Sequence, residues 1–503
     1  MVKARVVRHR GIRTPLAAHL AYLRRDGVTR EGERGELFGA GEGPVEAGAF
    51  AARCEDDRHH FRFIISPEDA RDMADLRGFT RALMTQAEAD LGTRLDWVAV
   101  DHWNTDHPHI HVIVRGHADD GQDLVIGRDY IASGLRARAQ ALITDELGPR
   151  SEIEIRRGLE AQVDAERFTP FDRLLIREAG RRGMVDAAPA IGGDPEGLQP
   201  LKAGRLRRLE RLGLAEELGA GLWRLADDAE TRLRALGERG DIIKQMHQAL
   251  GAEHIERSQE RWSIDGEDGA QMVVGQLVAR GLDDELRGSA WAVVDGVDGR
   301  AHHLRFDDLD ATSDAVPGAI VELRRFDDQA GRRRSALSVR SDLDLATQIV
   351  ADGATWLDRQ LVSGDAAALG GGFGAEVRDA LAARADHLLG TGLATRRGER
   401  IVPVRGLLDT LRARDLATAS ARLATETGRP VRAAAAGDAV NGTCARRVSL
   451  ASGRFAMIDD GLGFTLVPWT PALDRQVGRT VSGVARQGGG VDWVRGRGRG
   501  LGV

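Results

Sequence analysis

Apolar and polar residues alternate along "VKARVVRH" (residues 2–9), the two-residue period of a strand that lays one face on a core. The period then changes. Thr14 and Pro15 supply a hydroxyl cap followed by proline at the first helical position, predicting a helix from about Pro15 to Arg25 that Asp26 and Gly27 stop. After a Gly/Glu-rich loop, "RHHFRFIIS" predicts another strand, and Ser66–Pro67 predicts a second cap, opening a long amphipathic helix to about Leu91. "RLDWVAVDH" and "HIHVIVRG" predict two more strands, joined by a polar segment holding Pro108, and "SGLRARAQALITDEL" predicts a closing helix. Residues 1–150 therefore predict an α+β domain built on an antiparallel sheet with helices.

Four further regions follow. Residues 151–260 are mainly helical, and "LKAGRLRRLERLGLAEELGAGLWRL" (201–225) predicts two short helical stretches with a glycine between them, then a strand carrying Trp223. A winged-helix module and a plain helical hairpin both satisfy that pattern. Residues 261–342 alternate strand-like runs with Asp-Gly turns, predicting a small β-barrel-like domain. His302 and His303 are adjacent there, so a strand would turn them to opposite faces, one to the surface and one to the core. Residues 343–430 are Ala/Leu/Arg-rich and predicted helical; residues 431–503 predict a small β domain ending in a disordered Arg/Gly tail. No internal repeat stands out.

A chain of 503 residues exceeds what one hydrophobic core serves, in keeping with several domains. Its formal charge of -6 excludes a protein that coats nucleic acid through bulk charge, yet Lys3, Arg5, Arg8, Arg10 and Arg13 form a local basic run. No apolar run approaches the roughly 18–20 residues that span a bilayer, and the N-terminal segment lacks the apolar core of a signal peptide. A cytoplasmic protein with no membrane insertion is expected. Cys54 and Cys444 have no C-x-x-C spacing and are expected to be reduced packing thiols.

The candidate chemistry lies in "VDHWNTDHPHIHVIVRG" (100–116), which crowds His102, His107, His109 and His111 together. On a strand, His109 and His111 project from one face, while Ile110, Val112 and Val114 face the core. A hairpin through "WNTDHP" would bring His102 beside them, giving three imidazoles with open coordination positions, the pattern of a catalytic rather than a closed structural metal site. Asp101 and Asp106 are the candidate acceptors that fix the ring tautomers.

Only two tyrosines occur, Tyr22 and Tyr130. Tyr22 lies in "HLAYLRRDG", with Arg24 and Arg25 directly after it and His19 a helical turn before. Guanidiniums beside a phenol offset the charge of an approaching phosphodiester, which makes Tyr22 the candidate nucleophile and Tyr130, in "GRDYIASGL", its rival, although residue type alone favours Tyr22 as an aromatic packed on the sheet from an amphipathic helix.

Taken in order, "HLAYLRRDG", "HHFRFIISPEDA" and "HWNTDHPHIHVIVRG" resemble the three motifs of conjugative relaxases, mobilisation nucleases of the His-hydrophobic-His endonuclease superfamily, and within them the T-DNA border endonuclease-like branch. The resemblance covers roughly residues 1–150; the remainder resembles the long C-terminal region found on a subset of relaxases. It implies Tyr22 as the nucleophile; His102, His109 and His111 as ligands of a divalent ion, magnesium or manganese, with zinc also compatible with imidazoles; and Ser66 near the DNA. From the residues themselves, Asp106 joins the candidate catalytic set, and Arg13, Arg24 and Arg25 are the candidate phosphate contacts. The resemblance also implies single-stranded DNA at a transfer origin as substrate, auxiliary relaxosome proteins and a secretion-channel coupling protein as partners, and export with the transferred strand. Asn104 and Arg115 depart from the family pattern, which expects an acidic residue and a polar amide. In that subset a basic extension precedes the first strand, whereas this sequence starts almost at the strand, so part of the DNA affinity is expected to be missing. The same site would serve a rolling-circle replication initiator, and a non-catalytic DNA-binding regulator is the reading from a different class.

Overall fold

Four strands close one sheet around the histidine segment in a computed structural model that describes residues 1–9, 16–25, 27–104, 108–189, 197–264, 272–284, 286–328, 330–363, 369–473, 476–487 and 489–494. The chain is mixed α/β and divides into two units, Met1–Asp241 with Glu285–Arg287, and Ile242–Asp284 with Gly288–Val503.

In the first unit, β1 (Val2–Arg8), β2 (His59–Ile65), β3 (Trp97–His102) and β4 (His109–Arg115) pair antiparallel in the order β1-β2-β4-β3. Helices α1 (Leu16–Leu23), α2 (Ala47–Arg53), α3 (Leu76–Leu91) and α4 (Leu135–Leu147) cover its two faces. Phe61, Phe63, Ile65, Trp97, Ala99, Ile110, Val112 and Val114 share one core with Phe79, Leu83 and Met84 of α3 and Leu135 of α4. The other face buries Val98, Val100 and Ile113 against Leu20 and Leu23 of α1, Phe50 of α2 and Cys54. Burial on both faces explains why β4 reads as a nearly continuous apolar run. Phe50, Leu20 and Leu23 are almost fully buried, each contributing roughly 1.5–3 kcal/mol.

Two local expectations change. The helix expected from Pro67 begins at Leu76 instead, because the Asp75 carboxylate accepts from the Gly78 amide (2.9 Å) and caps it there, while Ala70 and Met73 are buried in the preceding turns. The helix expected from Pro15 to Arg25 runs Leu16–Leu23, and its Thr14–Pro15 cap lies outside the described residues.

Downstream, α5 (Glu152–Val163), α6 (Pro170–Arg182), β5 (Val185–Asp186), α7 (Leu198–Arg211), β6 (Ala215–Gly219) and β7 (Leu222–Leu225) form three helices with a sheet of order β5-β7-β6, before α8 (Ala229–Ala252). The second predicted helical stretch of this segment is therefore a strand, and the first continues through Gly204, where a Cβ would press on Val163 of α5 at 3.1 Å.

In the second unit, β8 (Trp262–Ile264), β9 (Val274–Asp284), β10 (Ser289–Gly296), β11 (Ala301–Phe306), β12 (Ile320–Asp327) and β13 (Arg333–Ser341) pair in the order β13-β12-β9-β10-β11-β8. His302 and His303 are both buried: His302 faces Asp298 at 3.1 Å, and His303 stacks on Trp291. The surface position expected for one of them is filled instead by an interior imidazole with a carboxylate beside it. Next come α9 (Leu345–Val350), α10 (Trp356–Ser363), α11 (Phe373–Gly390), the hairpin β14 (Ala394–Arg397) with β15 (Arg400–Pro403), and α12 (Leu407–Thr427). Finally β16 (Ala439–Leu450), β17 (Gly453–Asp459), β18 (Phe464–Pro468), β19 (Thr480–Ala485) and β20 (Val491–Trp493) form a sheet of order β18-β17-β16-β19-β20. β20 falls inside the tail expected to be disordered: Val491 and Trp493 pack on the Val440–Ile458 core, while residues 495–503 lie outside the described residues.

A repeat that the sequence did not disclose joins α5–β7 to α9–β15. In the first copy Gln162 accepts from the amide of Phe171, Thr169 and Asp172 form a reciprocal cap, and buried Arg205 forks onto Asp172 and reaches the carbonyls of Val163, Ala165 and Arg167. In the second, Gln348 accepts from Leu357, Thr355 and Asp358 repeat the cap, and buried Arg384 forks onto Asp358 and reaches Ile349, Ala351 and Gly353. The exits match as well, with Leu214 donating to Leu209 and Leu393 to Leu388, both at 2.8 Å. The two segments are copies of one helical module with a β-hairpin.

Candidate metal centre

β-pairing assembles the histidines. His102 directly opposes His109, and His111 opposes Val100 on one side and Ile64 on the other. Opposed residues share a face, and so do alternate ones, so all three imidazoles project from the side that α1 covers. Their ring centroids lie 4.5–5.3 Å apart, all three are buried, and one nitrogen of each can lie within 4.8 Å of the others.

The tautomers follow from partners. A carbonyl only accepts, so His102 Nε2 donates to Leu23 O at 2.7 Å, and its Nδ1 carries the lone pair. Nε2 of His109 and of His111 are 3.1 Å apart. Two nitrogens bound at about 2.0–2.1 Å to one ion sit roughly 3 Å from each other, so this spacing fits shared coordination. The residues present fit a metal ion held by three imidazoles, with any remaining positions left for water or substrate.

Asp101 does not serve these rings. It points to the opposite face, where it accepts from Arg77 Nε at 2.9 Å and from Trp103 Nε1 at 2.7 Å. Its expected part falls to the Leu23 carbonyl, a backbone group with no signature in side-chain sequence. Asp106 and Arg13 lie outside the described residues. Arg115 closes the far end of β4 in an ion pair with buried Asp57 (3.0 Å), which gives its departure from the family pattern a structural reason.

Tyr22 is half-buried in the core on the histidine side, one residue before the carbonyl that holds His102. The Arg25 guanidinium lies 4.4 Å from its ring centroid, a cation–π geometry. Arg24 is turned to the Gly35 carbonyl (3.3 Å). Ser66 follows Ile65, which opposes Ile110, so alternation puts Ser66 on the histidine face at the end of β2; its amide donates to Met1 O at 2.8 Å.

Tyr130 is elsewhere. It starts a π-helical turn, packs on the core of the opposite face, and donates to Asp90 at 2.9 Å. Burial first, then the Asp90 carboxylate, push its phenol well above the usual tyrosine range. Tyr130→Phe is expected to leave any covalent chemistry at the histidines unchanged, and loss of activity in that variant would reinstate it as the nucleophile. Cys54 is likewise buried, its thiol pushed up to about 12 by desolvation, and Cys444 is a buried free thiol, as packing residues should be.

Among the described residues no helix is long and apolar enough to cross a membrane. No curated protein matches this chain, and neither does any solved structure. A family model described as "Protein of unknown function (DUF3363)" matches residues 202–334 and 323–502, downstream of the histidine sheet. Those segments span more than half of the sequence, and the chain belongs to the DUF3363 family.

Proposed function

We propose that the protein is a metal-dependent DNA strand transferase of the relaxase type. What supports this reading most is the junction of α1 with β3: the residue after Tyr22 supplies the carbonyl that orients His102, so candidate nucleophile and candidate metal ligands form one local unit. The likeness of the three motifs to the His-hydrophobic-His endonuclease fold supports it further. A bound divalent ion would polarise the phosphoryl oxygens of the substrate. Manganese or zinc suits three imidazoles better than magnesium, which favours oxygen ligands.

In this mechanism the Tyr22 oxygen attacks a phosphodiester and forms a bond to phosphorus while the bond to the 3′ oxygen breaks. The phenolic proton passes to solvent, and the departing 3′ oxygen takes one up. Arg25 beside the ring offsets the phosphate charge, and Ser66 borders the same face. The 5′-phosphotyrosine keeps a phosphodiester bond, so the strand can be rejoined. The substrate is single-stranded DNA at a transfer origin, and mobilisation would further involve relaxosome proteins, a coupling protein and export with the strand.

A second reading, a DNA-binding regulator, is favoured by the α5–β7 module, in which Arg207 and Arg211 of α7 are exposed. One experiment separates the two. Wild-type, Tyr22→Phe and Tyr130→Phe proteins are incubated with manganese and single-stranded oligonucleotides tiled across the DNA flanking the coding region. A denaturant-resistant adduct that is lost only in Tyr22→Phe is the expected result; binding without nicking or adduct in any protein would favour the regulator.

A further inference from the structure

The histidine face continues past the metal ligands. Lys3 opposes Ile64, and Ile64 opposes His111; one row on, Arg5 opposes Arg62, and Arg62 opposes Ile113. Lys3, Arg5 and Arg62 therefore project from the same side of the sheet as His109 and His111. Arg62 is the diagonal neighbour of His111, a relation of roughly 7–8 Å that a long side chain crosses. Lys3 stands two inter-strand spacings from His111, about 10 Å.

Arg62 differs from the fully buried arginines of the chain. Arg205 and Arg384 each fork onto a carboxylate and saturate themselves with carbonyls. Arg62 is only partly buried, and among the described residues its hydrogen bond is from Nε to Nε2 of His60, at 3.0 Å, and no carboxylate meets it. Since His60 Nε2 accepts, its Nδ1 carries the proton and donates to His9 Nε2 at 2.7 Å. Burial, and then the neighbouring Arg62 charge, hold His60 neutral, its pKa lowered to about 2. A neutral imidazole thus aims the guanidinium without cancelling its charge. Desolvation and the nearby Arg5 bring Arg62 itself down to about 10, the mark of a cation lacking a counter-charge.

We propose that Arg62, with Lys3 and Arg5 beside it, is an anion site that takes a phosphate of a nucleic-acid strand leading from the metal centre across β4 and β2 towards β1. The identity of the strand rests on the strand-transfer reading. The anion site rests on the three cations, of which Arg5 also donates Nη1 to the Leu286 carbonyl at 3.0 Å, and on the lack of a carboxylate partner for Arg62 among the described residues. The two terminal nitrogens of a guanidinium match two phosphoryl oxygens, which a lysine at the same place would not.

The test uses full-length protein in EDTA, so that metal plays no part. Binding of a fluorescein-labelled oligothymidylate is followed by anisotropy against salt for wild type, Arg62→Gln and Arg62→Lys, each checked for folding by circular dichroism. Arg62→Gln is expected to weaken binding about tenfold at low salt and to reduce the slope of log affinity against log salt by about 0.7, the share of one phosphate on a single strand. Arg62→Lys should keep the slope and lose part of the affinity. In a second arm, inorganic phosphate at ionic strength matched with chloride should raise the melting temperature of wild type but not of Arg62→Gln. The proposal is overturned if Arg62→Gln equals wild type in both arms, even where Tyr22 still forms an adduct. If wild type binds no oligonucleotide but phosphate stabilises it through Arg62, the anion site stands and the strand-transfer reading falls.

Discussion

On the strand-transfer reading, protein carrying alanine at both His109 and His111 is expected to bind no divalent metal and to form no covalent DNA adduct, with nicking down by about 1000-fold or more, as removal of a Lewis-acid contribution of several kcal/mol requires. The pair is the informative change because the two Nε2 atoms, 3.1 Å apart, would share one ion. Each single variant leaves two imidazoles in place. His102→Ala is less clean, since it also strips the Leu23 carbonyl of its donor inside the fold. β4 should tolerate the double change, because most of its apolar contacts come from Ile110, Val112 and Val114 on the opposite face, and Ile113 still anchors it on the histidine side. Oligonucleotide binding in EDTA should stay within about threefold of wild type, as a bound ion would act on charge that develops in the transition state. Metal content by plasma emission spectrometry and adduct formation on denaturing gels check both halves. A double variant that keeps stoichiometric metal would remove these histidines from the site.

That site was legible in the sequence because a strand has only two faces. His-x-His fixes two imidazoles on one side, and antiparallel pairing with "WVAVDH" brings the third directly opposite. The same rule should have excluded Asp101: adjacent to His102 on a strand, it must point away, and it does so to meet Arg77. The Leu23 carbonyl left no such trace, since any residue carries one. Ser66–Pro67 showed the local chemistry of a helix cap, yet Asp75 took that part, because buried Ala70 and Met73 commit the intervening turns to the core. The duplication stayed hidden for a different reason. Its signature is four polar residues spread over long distances, and the Arg–Asp separation differs between copies, 33 residues in one and 26 in the other. Only their hydrogen bonds make the equivalence visible. The proposed Arg62 site was hidden in the same way, since register alone aligns it with Lys3, Arg5 and the three histidines.

Arg384→Ala is expected to destabilise the second unit by about 3–5 kcal/mol, the loss that follows when one partner of a buried ion pair is removed and the other keeps its charge. Arg384 is fully buried, as is Asp358, and the guanidinium also satisfies the carbonyls of Ile349, Ala351 and Gly353. Truncation strands all of them at once, at the end of α9 and the start of α10. For a unit of this size the melting temperature should fall by on the order of 10 °C. Arg205→Ala is expected to cost the first unit a similar amount, because Arg205 meets Asp172 and three carbonyls in the same way. Leucine at both Arg384 and Asp358 should cost less than Arg384→Ala alone, since a well-packed apolar pair leaves no buried charge, although the stranded carbonyls and the lost Thr355 cap keep it below wild type. Differential scanning calorimetry of the four proteins decides the matter. If Arg384→Ala unfolds within about 2 °C of wild type, the buried pair does not hold the module together; if only one of the two arginine variants is strongly destabilised, the copies share geometry without sharing its energetic role.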